Sequence, residues 1–484
     1  MAELGGAESD GATRVDGAFL EGRSFDEIPL GASASFTRTL SRADIELFAI
    51  VSGDVNPTHL PDPAAASGVV HHVVAHGMWG AALISAVLGT ELPGPGTVYR
   101  AQNLVFHAPV ALGDTLTVTV TARERRPQGR VIVFDCRCTN QHGVDVITGT
   151  AEVTAPAAHI RLARAELPEI QLHRHDSYHH LMQRCAGRPP MPTAIVHPCD
   201  AASLTAAVDA ARAGLIVPVL VGPEHKIRAA AAAGGIDLGG MRIVAAPHSH
   251  AAAAEAVRLA RAGEVAALMK GSLHTDELMH EVTDGALGLR TARRISHVYV
   301  MDIPTYPKPL MITDAAINID PTLEDKRDIC QNAIDLAHAL GIALPKVAIL
   351  SAVETVATKL PSTIDAAALC KMAERGQITG GVIDGPLAFD NAIDRAAATT
   401  KGITSAVAGI ADILVVPDLE AGNMLAKQLT FLASADAAGI VLGARVPIML
   451  ASRADSVRTR LASCAVAVIL ATANAAAAAG GDGE

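Results

Sequence analysis

Residues 97–155 read TVYRAQNLVFHAPVALGDTLTVTVTARERRPQGRVIVFDCRCTNQHGVDVITGTAEVTA, and this stretch decides the fold of the first third of the chain. Apolar and polar residues alternate through most of it, the period-two pattern of strands with one buried face. Gly113-Asp114 and Gln128-Gly129 supply turns, so successive strands run antiparallel. Upstream stands MWGAALISAVLG (78–89), an apolar helix suited to burial. Before it, SRADIELFAIVSG (41–53) reads as a helix with Ser41 as its N-cap. A central helix followed by a meander of long strands predicts an α+β unit whose strands wrap the helix.

That unit is expected to span 23–156. Residues 1–22 are polar, lack an apolar signal core and are expected to be disordered. A linker with a connecting helix is expected over 157–190. It carries HRHDSYHH (173–180), with His175 and His179 one helical turn apart. No cysteine or carboxylate set stands nearby, so a solvated helix is expected there and no metal.

From 191 the pattern becomes TAIVHP, LIVPVLVGP, MRIVAA, ALMKG, HVYVMDI and PLMITDA. It continues with KVAILSA, GGVIDG, ADILVVP, AGIVLGA and VPIMLA, with alanine-rich helices such as AASLTAAVDAARAG between strands. Strand and helix in regular alternation predict a mainly parallel α/β domain over 191–472, long enough for two lobes with a cleft. Leu461–Gly480 reads as a buried helix, not a membrane span, running into a disordered tail at 473–484.

Half of the 484 residues are hydrophobic but only 3% are aromatic, so alanine, valine, leucine and isoleucine must do the packing. A net charge of −11 with no Lys/Arg-rich block argues against a nucleic-acid partner. Anionic ligands must then be held by single basic residues, helix N-termini and backbone N–H groups. The seven cysteines show no CxxC spacing, and Cys136 and Cys138 fall on one face of a strand. Reduced thiols and a cytoplasmic protein are expected.

The chemistry of the first unit concentrates in Ser52-Gly-Asp54-Val-Asn56-Pro-Thr-His59 and in Ala75-His76-Gly77-Met78. A carboxylate and an imidazole five residues apart on an Asn-Pro turn can converge on one water. Asp54 would take its proton while His59 orients it or shares the acid/base role. Gly77 opens an apolar helix, so its N–H can hold negative charge building on a thioester oxygen. The plainer alternative makes Asp54 a turn former and His59 a surface group. With Phe106, Pro109, Val110, Gly113 and Asp114 in register, residues 28–153 resemble the MaoC-like, (R)-specific enoyl-CoA hydratase family, which has a hot-dog fold. That resemblance implies catalytic roles for Asp54 and His59, with Asn56, His76 and Gly77 binding substrate or its oxyanion. Here His59-Leu-Pro-Asp-Pro63 carries one residue more than the family's H-x-D-P.

In the second unit GLIVPVLVGP (214–223), LMKGSLHT (268–275), ITDAAIN (312–318), DGPLAFD (384–390), PDLEAGN (417–423) and Ser452-Arg453 look like the phosphate acetyl/butyryltransferase family. LMKGSLHT and ISHVYVMDIPTY lean toward its butyryltransferase branch. The resemblance implies acyl transfer between CoA and inorganic phosphate. Arg453 would be a forked clamp and Ser452 a donor to the transition-state oxygen. Lys270, Gly271, Ser272 and His274 would bind substrate just past a strand end, with Asp384 and Asn423 as further substrate contacts. Thr459 stands where the acetyltransferase branch has its proposed thiol base, an Asp, and Glu281 where it has an Arg, so base and second clamp stay unassigned. The resemblances together imply a bifunctional acyl-CoA enzyme and a homo-oligomer built from dimers. CoA thioesters and phosphate would be substrates, with no cofactor. The alternative makes the second unit a non-catalytic acyl-CoA-sensing and oligomerisation module.

Overall fold

The computed structural model describes residues 18–60, 73–167, 170, 176–450 and 455–481. The chain divides into two compact units, Met1–Leu172 and His173–Glu484.

The first unit holds strands β1 (Phe19–Gly22), β2 (Ser33–Thr39), β3 (Val98–Phe106) and β4 (Thr115–Arg126). Then follow β5 (Val131–Thr139), β6 (Asp145–Thr154) and β7 (Ile160–Ala163). Its helices are α1 (Arg42–Ser52) and α2 (Gly77–Thr90). Five strands form one antiparallel sheet in the order β2-β4-β5-β6-β3. Inward residues of β4 (Leu116, Val118, Val120, Ala122) share a core with Trp79, Leu83, Ile84, Val87 and Leu88 of α2. The sheet thus wraps α2, the hot-dog arrangement the resemblance implies. Gly80 lets the helix lie close, since a Cβ there would come 2.6 Å from Ile147 Cδ1. Cys136 and Cys138 sit on the buried face of β5, where burial pushes both thiols up to about 12. All seven cysteines are free.

The second unit contains β8 (Met191–Val196), β9 (Ile216–Gly222), β10 (Arg242–Ala245), β11 (Ala267–Lys270), β12 (Ser296–Asp302) and β13 (Leu310–Thr313). Next come β14 (Lys346–Leu350), β15 (Val382–Leu387), β16 (Ile413–Val415), β17 (Asp436–Leu442) and β18 (Ile448–Met449). The expected strand–helix alternation is present, and the strands make a single sheet in the order β10-β9-β8-β11-β18-β17-β12-β13-β16-β14-β15. One lobe, β10 to β18, is parallel throughout, as is the other, β13 to β15. Three antiparallel pairings through β17 and β12 join them. Three reversals leave the two lobes pointing in opposite directions. No helix among the described residues is long and apolar enough to cross a membrane.

Three expectations need correction. Residues 19–22 are not disordered: they form β1, which pairs with β7, Leu20 opposite Leu162. By the same pairing Ile160–Ala163 belongs to the first unit and not to a linker. A partner about 140 positions away leaves no local signature, so periodicity alone misses both strands. At the other end the last helix spans Val457–Gly481, past the expected boundary at 472. NAAAAAGG continues it because alanine has the highest helix propensity. Residues 1–17 and 482–484, and His173 and His175 of the histidine-rich joint, lie outside the described residues.

Candidate functional site

In the first unit the site is built where α1 ends. Gly53 takes φ +75, a left-handed cap that returns its N–H to Ala49 O and turns the chain out of the helix. A ladder of short side chains then folds the loop. Ser52 Oγ accepts from Asp54 N (3.2 Å), Asp54 Oδ1 from Asn56 N (3.2 Å), and Asn56 Oδ1 from Thr58 N (3.1 Å). Asp54 is therefore the turn former of the plainer reading, through Oδ1. Its other oxygen, Oδ2, faces His59 Nε2 at 3.9 Å. Asn56 also accepts from Thr58 Oγ1, so its side-chain oxygen shapes the turn and is not aimed at a ligand.

Both imidazoles are oriented by carbonyls. His59 Nδ1 lies 2.9 Å from Val74 O and His76 Nε2 lies 2.9 Å from Asp54 O. A carbonyl only accepts, so each of these nitrogens carries a proton, and the neutral form of each ring has its lone pair on His59 Nε2 and on His76 Nδ1. The two rings lie with centroids 3.9 Å apart and planes tilted by 31°, and the Phe48 ring lies 5.1 Å from that of His76. His76 is buried, and its Nδ1 has no hydrogen-bond partner among the described residues. Asp54, His59 and His76 each offer a ligand atom, all within 4.8 Å of one another, and among the described residues these three are the set that could hold a metal ion.

His76 is also the N-cap of α2, and the Gly77 N–H finds no acceptor among the described residues. Beside this helix end opens a cavity of about 330 Å³ lined by Ala75, His76, Gly77, Phe106, Pro109 and Val110 among others. Three of the strand-signature residues thus form its wall. Gly113 and Asp114 do not. Gly113 turns the chain at φ +91, and Asp114 ties that turn by accepting from Ala111 N and Gln141 Nε2.

In the second unit Lys270 ends β11, buried, with Nζ donating to Leu273 O at 3.2 Å. A Cβ on Gly271 would fall 2.4 Å from Val196 O and 2.8 Å from His197 O, so only glycine lets this loop lie against β8. Ser272 Oγ donates to His197 O at 2.7 Å. His274 is exposed at the start of the helix Thr275–Val282. These four stand together. Asp384 and Asn423 do not join them. Asp384 lies on β15, seven strands from β11, or roughly 34 Å along the sheet at ~4.8 Å per strand. Asn423 donates to Ala315 O in the loop after β13, in the lobe of opposite direction. Ser452 and Arg453 lie outside the described residues.

Residues 247–468 match the family model described as phosphate acetyl/butaryl transferase, and residues 28–139 match that of the MaoC like domain. The phosphate acetyltransferase of Rhizobium meliloti is 68% identical over 294 residues, 61% of this chain and 93% of that protein. The chain belongs to the phosphate acetyl/butyryltransferase family. It carries a MaoC-like domain ahead of its phosphate acetyl/butyryltransferase domain. The phosphate butyryltransferase of Clostridium acetobutylicum is 39% identical over 61% of this chain and 98% of its own length. A branched-chain phosphotransacylase from Enterococcus faecalis V583 superposes with a TM-score of 0.52 at 29% identity, covering 58% of this chain and 99% of that one. The higher identity is with a relative named for acetyl transfer, against the butyryltransferase leaning of the motifs. Segments near strand ends do not report the depth of an acyl pocket.

One residue of the phosphate acetyl/butyryltransferase domain escaped the sequence reading. His197, in TAIVHP, directly follows β8 with φ +55, rare for a residue other than glycine. The available signal was a histidine followed by proline at the C-terminal end of a parallel strand, where open α/β sheets place ligands.

Proposed function

We propose that the chain catalyses two reactions on CoA thioesters: hydration of a trans-2-enoyl-CoA to an (R)-3-hydroxyacyl-CoA in the MaoC-like domain, and acyl transfer between CoA and inorganic phosphate in the second. The observation that carries the first is the 3.9 Å gap between Asp54 Oδ2 and His59 Nε2. Both atoms are hydrogen-bond acceptors, so the group that fits between them is a double donor, and a water is one. Such a water gives one hydrogen to each and keeps a lone pair for the β-carbon of the enoyl thioester. As the C–O bond forms, one water proton passes to the Asp54–His59 pair and the pair returns a proton to the α-carbon. The charge that gathers meanwhile on the thioester oxygen meets the Gly77 N–H at the positive end of α2. The cavity of about 330 Å³ beside it would take the acyl chain. The (R) outcome rests on the MaoC-like resemblance.

Acyl transfer is supported by the relatives named phosphate acetyltransferase and phosphate butyryltransferase, each covered over more than nine-tenths of its length. That likeness favours a catalytic second domain over an acyl-CoA-sensing one. Phosphate attacks the thioester carbonyl and the CoA thiolate leaves, so no acylated side chain is required. Ser452 and Arg453 belong to this proposal as oxyanion donor and phosphate clamp, with Lys270, Gly271, Ser272 and His274 as substrate contacts. The proposed assembly is a homo-oligomer. The sheet edge at β3, with Val98, Val105 and Phe106 about half exposed, suits such association.

The test is one preparation assayed twice. Crotonyl-CoA should lose its enoyl absorbance, and acetyl- or butyryl-CoA should release CoA only when phosphate is present. Arg453→Ala should stop the release and leave hydration intact. Release that is absent with every short acyl-CoA would return the second domain to a sensing role.

A further inference from the structure

The second domain's parallel lobe brings its strand ends to one edge. Val196 of β8 is level with Val221 of β9 and Lys270 of β11, and Met269 is level with Met449 of β18. His197, Gly271 and Leu450 therefore leave the sheet side by side. Four helices begin along the same edge and bring Asp200, Lys226, His248 and Glu277 toward His197.

His197 is fixed more firmly than a loop residue requires. Its N–H donates to Val221 O (2.7 Å), and its carbonyl accepts from Cys199 N (2.9 Å), Ser272 N (3.0 Å) and Ser272 Oγ (2.7 Å). These bonds hold the left-handed backbone, which costs of order 1–3 kcal/mol. The ring is oriented too, with Nδ1 lying 3.3 Å from Ser272 Oγ. The single hydroxyl hydrogen of Ser272 goes to His197 O, and Oγ also accepts from Cys199 N (3.2 Å). A bond from Nδ1 therefore needs the proton on Nδ1, which leaves the lone pair on Nε2. Among the described residues Nε2 has no hydrogen-bond partner, and the side chain is half-buried at this edge of the sheet. The neighbouring histidine His248 is engaged as the cap of its helix, accepting from Ala251 N. His250 lies against Glu277 at 3.2 Å.

Among the reactants of acyl transfer the proton that must move is on the thiol. Phosphate arrives already ionised, whereas a thiol with a pKa of about 8.5 is mostly protonated at pH 7. We propose that His197 Nε2 is the proton acceptor for the CoA thiol, the base left open by Thr459. The inference rests on the acyl-transfer reading above. The thiol proton passes to Nε2, and the thiolate attacks the acyl carbon of an acyl phosphate. The C–O bond to phosphate then breaks, and phosphate leaves with the bonding pair. The imidazolium gives its proton to the departing phosphate, which leaves as hydrogen phosphate; in the opposite direction hydrogen phosphate yields that proton to the ring as it attacks, and the ring passes it to the departing thiolate. Burial, Lys226 and His248 lower the imidazole's pKa while Glu277 and Asp200 raise it. Burial is the largest cause and the net direction is down, so the ring is neutral and able to accept at pH 7.

The experiment is the pH profile of acyl-CoA formation from acetyl phosphate and CoA by the whole chain. His197→Asn suits it because asparagine tolerates a positive φ; His197→Gly, free at that φ, repeats the comparison if the first variant unfolds. The wild type should be nearly flat between pH 7 and 8.5. The variant should be about 100-fold slower at pH 7 and climb about tenfold per pH unit for as long as the CoA thiol stays mostly protonated, with KM for CoA within a few-fold. Ser272→Ala should lower kcat with a smaller change of profile, as expected of a positioning residue. A variant slowed by the same factor at every pH, or not slowed, overturns the inference and leaves the acyl-transfer reading standing. A wild type with no phosphate-dependent CoA release overturns the acyl-transfer reading, and the role of His197 with it.

Discussion

Asp54→Asn separates the two jobs of one side chain. Oδ1 accepts the Asn56 N–H that folds the loop, and an amide oxygen can keep that bond. Oδ2, facing His59 Nε2 at 3.9 Å, is replaced by an NH₂ that can no longer accept a proton. The loop should therefore stay folded while the water loses one of its two acceptors. Loss of a positioned general base costs about 10²–10⁴ in rate, or about 3–5 kcal/mol at 1.36 kcal/mol per decade. The assay follows the ultraviolet absorbance of crotonyl-CoA, with phosphate-dependent CoA release by the same sample as an internal control. The expectation is a fall of kcat in that range, KM within a few-fold and CoA release unchanged. A variant within threefold of wild type in kcat would refute the proton-accepting role and leave Asp54 as a turn residue.

Gly271→Ala should abolish phosphate-dependent CoA release and spare crotonyl-CoA hydration, because the new Cβ meets Val196 O and His197 O; both activities measured on one sample check this. His297, fully buried with neither ring nitrogen hydrogen-bonded among the described residues, is pushed down to about 3 by burial. Its folded pKa is below the unfolded value of ~6.5, so the unfolded state binds the extra proton and stability falls as the pH drops through the window from 6.5 toward 3, by up to about 1.4 kcal/mol per pH unit. Denaturant unfolding of His297→Leu against wild type at pH 7 and pH 5 should show that part of the acid sensitivity removed. Cys136, Cys138, Cys330 and Cys464 are buried and raised to about 12. Mass spectrometry after iodoacetamide at pH 8 should find them unmodified until the protein is unfolded.

What the sequence disclosed follows from how local its causes are. The N-cap at Ser41, the helix starting at Gly77 and the four long strands depend on neighbouring residues and stand where their patterns predict. The Asp54–His59 pair was legible for the same reason, since both sit on one eight-residue loop. The pairing of β1 with β7 was hidden because its signal is a partner far along the chain. So was the reversal of direction between the lobes, which depends on two central antiparallel strands that resemble their neighbours. The same blindness affects sites. Lys270 to His274 are contiguous and came together, whereas Asp384 and Asn423 were grouped with them by motif and are separated by the sheet. His197 went unnoticed because its peculiarity is a backbone angle, and no composition or spacing reports a positive φ.

The central claim is that a water held between a carboxylate and an imidazole adds to an enoyl thioester. Its most direct measurement is incubation of the wild-type chain with crotonyl-CoA, with the configuration of the product resolved by chiral chromatography after hydrolysis. The expected product is (R)-3-hydroxybutyrate, formed in proportion to the enoyl absorbance lost. A preparation that releases CoA with phosphate yet leaves crotonyl-CoA unhydrated, or yields the (S) product, would contradict it.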